Sequence, residues 1–89
     1  MLFMVIERFW NRDPAPVGTR FQEKGRLMPE GVEFVDSWID ADEMKCFQIM
    51  KAPDKSHLDE WIANWSDIVD FEVIPVMTSA QFWAARPVT

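Results

Sequence analysis

The sequence predicts an α+β fold with the element order strand, helix, strand, strand, helix, strand, and three observations carry that reading. Four segments have strand composition: Leu2–Phe9, Val32–Asp40, Met44–Lys51 and Phe71–Thr78. Between the first and second of these, and between the third and fourth, apolar residues recur at helical spacing. The strands also carry apolar side chains at odd and even positions alike, whereas a sheet covered on one side alternates apolar with polar. The order is that of the split βαβ or ferredoxin-like arrangement, with antiparallel sheet order 4-1-3-2 and both helices on one face. In this reading the second face offers Phe3, Val5, Phe34, Trp38, Met50, Ile74 and Val76. Such a face needs a cover, and an identical subunit packed sheet to sheet, as a dimeric α/β barrel, supplies one.

The first strand ends at Asn11-Arg12-Asp13-Pro14, a turn that starts a helix, with Asp13 as N-cap and Pro14 at the first helical position. That helix runs to about Arg26 on a thin inward stripe of Val17, Phe21, the aliphatic stem of Lys24, and Met28. Pro29-Glu30-Gly31 breaks it and turns the chain into the second strand. Asp40-Ala41-Asp42-Glu43 is short and polar enough to close a hairpin with the third strand. A register pairing Trp38 with Cys46, Asp36 with Gln48 and Phe34 with Met50 sorts the two faces. A slip of one residue sets Gln48 beside Val35 and Lys45 beside Trp38, mixing them. Asp54, after Pro53, is the expected N-cap of the second helix, whose Leu58, Trp61, Ile62 and Trp65 form an i, i+3, i+4, i+7 stripe. Beyond the last strand, the tail from Ser79 through Ala85 forms one or two helical turns before Pro87. Its adjacent Phe82 and Trp83 suit docking on a partner subunit.

Eighty-nine residues make one domain, and 48% hydrophobic with 27% charged residues is a globular composition. Five Trp and seven Phe exceed what so small an interior buries, which again favours an interface. A net charge of −6 with scattered basic residues argues against nucleic acid and against anionic membrane surfaces. The longest apolar run, Leu2 to Ile6, is too short to span a bilayer. No positive n-region precedes it and Glu7 interrupts it, so no signal peptide and a cytoplasmic location are expected. The single Cys46 fits a reducing compartment and forms no internal disulfide.

The stretches MLFMVIERF, GRLMPEGVEFVDSWID, KCFQIM and LDEWIANWSDIVDFEVIPVMTSA resemble a small bacterial family of domains of unknown function, number 3303, over nearly the whole chain to about Ala80. The resemblance implies no activity, because the family has no established one. The wider superfamily of dimeric α/β barrels, which the expected fold resembles, includes cofactor-free monooxygenases, haem-degrading enzymes, small-molecule isomerases and members with no known catalysis. A likeness of fold does not carry a function by itself.

Four polar residues, Glu7, Asp36, Gln48 and Glu72, fall among the apolar ones of the expected non-helix face. Setting Val5 opposite Ile74 places Glu7 opposite Glu72, with Cβ atoms about 5 Å apart. Their repulsion at an effective dielectric of ~20 is roughly 3 kcal/mol, enough to keep one carboxyl protonated as a general acid or base. The plainer reading pairs them with Arg8 or Lys51, or leaves them solvated at the barrel mouth. Trp38 with Asp36 and Gln48 offers the indole wall and orienting polar groups of a pocket for a flat organic molecule, or else an interface core. His57, in the first turn of the second helix, reads as a solvated histidine favoured in its neutral form. Cys46 reads as a small buried apolar residue, and Trp61 and Trp65 as core. The acidic run Asp36, Asp40, Asp42, Glu43 lacks the spacing and Gly of a calcium loop and reads as a solvated hairpin.

No metal-ligand set, nucleophile with adjacent base or phosphate-binding Gly-rich loop is present, which removes metalloenzyme, hydrolase and kinase readings. Two function classes remain. One is a small-molecule-binding protein or cofactor-free enzyme, its pocket between the sheets, with Trp38, Asp36 and Gln48 holding the ligand and Glu7 or Glu72 moving protons. The other is a non-catalytic homodimeric module. The four polar residues favour the first, since buried charge persists where it is paired, wet or functional.

Overall fold

A computed structural model describes residues 1–40 and 44–86; the hairpin connection expected at 41–43, with its Asp42 and Glu43, and the tail from Pro87 lie outside the described residues. The strands are β1 (Leu2–Phe9), β2 (Glu33–Asp40), β3 (Lys45–Lys51) and β4 (Val69–Val76). They form one antiparallel sheet in the order β2-β3-β1-β4, which is the expected order read from the other edge. The helices are α1 (Ala15–Lys24), α2 (Lys55–Ala63) and a short terminal α3 (Ser79–Ala84). The fold is α+β and ferredoxin-like.

β1 is the axis of the core. Phe3 and Val5 are fully buried beside Met50 of β3, and α2 closes over them with Leu58 and Trp61. Trp65, beyond the end of α2, completes this cluster, so the expected stripe of the second helix is correct in composition and outlasts the helix itself. Asp54 caps α2 as expected, its carboxylate accepting the His57 N–H at 3.1 Å. A smaller cluster of Phe9, Cys46 and Val69 sits at the other end of the same face.

α1 starts and stops close to its sequence signals. A 3-10 turn at Trp10–Arg12 leads in, with Asn11 at φ 57° and Arg12 at φ 54°. The Asp13 carboxylate accepts the Ala15 N–H at 3.0 Å, and Pro14 rather than Asp13 occupies the N-cap. Gly25, at φ 70°, ends the helix just short of Arg26, in a conformation that glycine adopts without steric cost. None of the residues of α1 is buried; Val17 is half-buried and Phe21 is 45% exposed. Thr78 and Gln81 form a reciprocal capping box at α3, where Phe82 and Trp83 stack edge to face.

The register corrects the expected sorting of faces. Glu7 lies opposite Phe71, Val5 opposite Val73, and Glu72 opposite Ile6, so Glu7 and Glu72 project from opposite faces rather than facing each other. Phe34 pairs with Met50 as expected, but a β-bulge at Val35 advances β2 by one residue. Beyond it Asp36 pairs with Ile49, Ser37 with Gln48, Trp38 with Phe47 and Ile39 with Cys46. Phe3, Val5, Glu7, Phe34, Gln48 and Met50 therefore lie on the helix-covered face, not on the open one. Asp36, Trp38, Glu72, Ile74 and Val76 do share the open face, together with Met4, Ile6, Phe47 and Ile49. Alternation within β1 and β3 is apolar on both sides, so composition alone could not say which set faces the helices.

Candidate functional site

Between the sheet and α1 lies a cavity of about 150 Å³. Its floor is polar and comes from three neighbouring strands: Glu7 of β1, Cys46 and Gln48 of β3, and Ser37 of β2. The register makes them adjacent, because Glu7 pairs with Cys46 and Gln48 pairs with Ser37, and alternate residues of one strand share a face. Its walls are mainly apolar, with Phe9, Ile39, Trp61 and Trp65 on the body of the fold and Val17 and Phe21 on α1, and Arg26 also lines it.

Arg26 stands at the junction of α1 with the loop that follows it. The Nε1–H groups of Trp61 and Trp65 both donate to the Arg26 carbonyl, at 3.0 Å each, which satisfies two buried indoles and pins the end of α1 to α2. The Arg26 guanidinium covers the Phe34 ring at 3.6 Å and the Phe21 ring at 5.2 Å. Asn64 holds the next carbonyl, Leu27, at 2.9 Å. Within α1, Arg20 makes a two-pronged ion pair with Asp67, at 2.7 and 2.8 Å, and lies over the Trp65 ring.

Burial pushes the Glu7 carboxyl above its ordinary pKa; a hydrogen bond with the Cys46 thiol and the charge of Arg26 oppose that shift without cancelling it. The thiol is pushed up to about 12, chiefly by burial and then by the neighbouring carboxylate. Cys46 is thus a hydrogen-bond donor to Glu7 and not a thiolate nucleophile at neutral pH. Gln48 is only 4% exposed, and no hydrogen bond joins its amide to another described residue. No buried side-chain oxygen or nitrogen is left unsatisfied among the described residues, so the Gln48 amide atoms open on the cavity that the residue lines.

Of the five residues singled out from the sequence, Glu7 and Gln48 meet in this cavity. Asp36, Trp38 and Glu72 lie on the opposite face of the sheet. There the Asp36 carboxylate accepts the N–H of Ser37 at 2.8 Å, and Glu72 pairs with Arg8 at 3.3 Å, as the plainer reading held. Trp38 is 55% exposed. Sequence reasoning missed Ser37 and Arg26 and assigned Cys46, Trp61 and Trp65 to the core alone. The signal for Arg26 was indirect: two buried indoles on one helix stripe each need an acceptor, and the loop after α1 is the nearest source. His57 is exposed, and its Nδ1 lies 2.8 Å from the Asp54 carboxylate, which raises its pKa; the expected preference for the neutral form is reversed by that contact.

A family model described as domain of unknown function DUF3303 matches residues 1–87. The chain belongs to the DUF3303 family. No curated protein and no solved structure matches it. Among the described residues of this DUF3303 domain, no helix is long and apolar enough to cross a membrane, and no group of three or more His, Cys, Asp or Glu side chains is placed to hold a metal ion.

Proposed function

We propose that this DUF3303 domain binds a small organic molecule in the cavity beneath α1, with Glu7 as the group that gives or takes a proton there. The observation that carries the reading is the convergence of Glu7, Gln48 and Ser37 from three strands into a cavity whose other lining, apart from Cys46 and Arg26, is apolar and aromatic. A few placed polar groups in an apolar hollow are what ligand sites share, and a carboxyl whose pKa is raised by burial is suited to giving or taking a proton. Such chemistry calls for no cofactor. The pocket belongs to one chain, between sheet and helix, and not to a space between two sheets. An acidic chain with one thiol suits a reducing, cytoplasmic setting. The test is a screen of small ring compounds by NMR, following the indole N–H signals of Trp61 and Trp65. Binding is expected in the native protein and lost in Ser37→Leu, which fills the floor; binding that survives the filled cavity sinks the reading.

A second reading concerns the other face and is compatible with the first. Trp38 (55% exposed), Ile74 (41%) and Val35 (53%) stand uncovered on or beside the open face, and Met77 (62%) and Trp83 (59%) follow in the C-terminal arm. The same face carries both Arg8 and Glu72, and both Lys51 and Asp36, so that a two-fold related copy offers matching apolar and charged groups. We infer a homodimer through this face, with the arm docked on the partner. Sedimentation should show a dimer that Trp38→Ala weakens, with cavity binding retained. A native protein that stays monomeric at high concentration excludes it.

A further inference from the structure

The cavity, taken as a ligand site, also constrains the class of its ligand, and the inference drawn from it rests on that reading. Three observations constrain the occupant. The volume of about 150 Å³ equals that of an engineered protein cavity that accommodates benzene, so the space suits one ring and not two. The walls are aromatic, with Trp61, Trp65, Phe9 and Phe21 offering ring faces and edges. The polar groups Glu7, Ser37, Cys46 and Gln48 lie together on the strand floor, and Arg26, beyond the end of α1, also lines the space. Gln48, nine-tenths buried and without a partner among the described residues, presents both an N–H donor and a carbonyl acceptor to the cavity.

Glu7 lies diagonal to Gln48 across β1 and β3, since Glu7 pairs with Cys46 and Gln48 with Val5. That places their backbones roughly 7 Å apart, a span one shared ligand atom bridges when both side chains reach toward it. In a space this small the economical partner is a single oxygen that donates to one group and accepts from the other, which is a hydroxyl. A carboxylate ligand fits less well. It would put a second anionic group beside Glu7, leaving the Arg26 guanidinium that lines the cavity to serve two carboxylates.

We infer that the cavity takes a molecule of one six-membered ring bearing an acidic hydroxyl, a phenol or ring enol, with the hydroxyl oxygen held between Gln48 and Glu7. The hydroxyl proton passes to the Glu7 carboxylate while the oxygen retains the bonding pair. Ring O–H and Glu7 carboxylate become ring oxyanion and Glu7 carboxylic acid, and nothing is oxidised or reduced. The Gln48 N–H donates to the oxygen as it gains charge.

Phenol, toluene, benzoate and 2-naphthol, each titrated into nitrogen-15-labelled full-length protein, test this. Phenol should shift the Gln48 side-chain amide and the Trp61 and Trp65 indole signals. Toluene, equal in size and lacking the hydroxyl, should bind about tenfold more weakly, as loss of hydrogen bonds to a buried amide implies. Gln48→Met, which keeps the volume, should remove that preference while toluene binding persists. Toluene binding as tightly as phenol to the native protein overturns the inference without reliance on any variant. A tighter fit for 2-naphthol or for benzoate overturns it as well, on size and on charge respectively, while leaving the cavity a ligand site. Failure of all four compounds to move the cavity signals removes the site reading together with the inference.

Discussion

α2 buries Leu58 and Trp61 against Phe3, Val5 and Met50, whereas α1, over the same face of the same sheet, buries no residue and leaves Phe21 nearly half exposed. The first helix is held by polar ties instead: the Arg20–Asp67 ion pair at one point and the two indole bonds to the Arg26 carbonyl at its end. Apolar burial stabilises more strongly, at roughly 25 cal/mol per Å², and exposed ion pairs contribute little. The cavity opens where apolar burial is missing. A thin apolar stripe on a helix is, in this fold, the condition for space beneath it.

Cutting the core on each side is the strongest way to break that contrast. Leu58→Ala, at a fully buried position, should cost about 3 kcal/mol in urea denaturation, and Val17→Ala under α1 no more than about 1 kcal/mol. Equal losses would mean that α1 is as firmly packed as α2. Trp61→Phe keeps most of the apolar ring and removes one of the two donors to Arg26. A loss of about 1 kcal/mol is expected, with faster amide exchange in α1 than in α2.

The pH dependence sharpens the contrast further. Because burial raises the Glu7 pKa in the folded state, the unfolded chain releases that proton first. The contribution is fully present below the ordinary value of 4.5 and is lost as pH rises through the raised value. Glu7→Gln should therefore gain stability relative to the native protein as pH rises from 4.5 toward neutrality, and a flat difference between the two denaturation series would refute the assignment. The smallest effect concerns Cys46. A thiol with a pKa of about 12 should resist alkylation at about pH 8 in the folded protein and react readily once urea unfolds it.

Much of the fold was legible because its signals are local. The Asp54 cap, the Leu58-to-Trp65 stripe and the order of strands follow from spacing and turn chemistry that act within a few residues. The faces were not legible. Phe3 and Val5 are apolar, and so are Met4 and Ile6 on the other side, so alternation gives no vote on which pair meets the helices. The site was half legible for the same reason: Glu7 and Gln48 stood out as polar residues in apolar strands, and their company could be known only after the register was fixed. Asp36 and Trp38 were placed beside Gln48 by a regular ladder that the protein does not make.

The irregularity in that ladder has a larger effect than its single residue suggests. Val35 works as a half-turn of the strand: everything after it is presented to the other side of the sheet. Were Val35 to pair with Ile49 instead of bulging, continuous pairing from Phe34–Met50 would bring Asp36 against Gln48 and Trp38 against Cys46, on the side of the helices. An indole would then stand where Ile39 now lines the hollow, and a second carboxylate would stand in the place of the Ser37 hydroxyl. The protein would be better filled and would have lost both its empty volume and its exposed tryptophan in the same step. One inserted residue in an edge strand thus sets the bore of the cavity and the character of the outer face together.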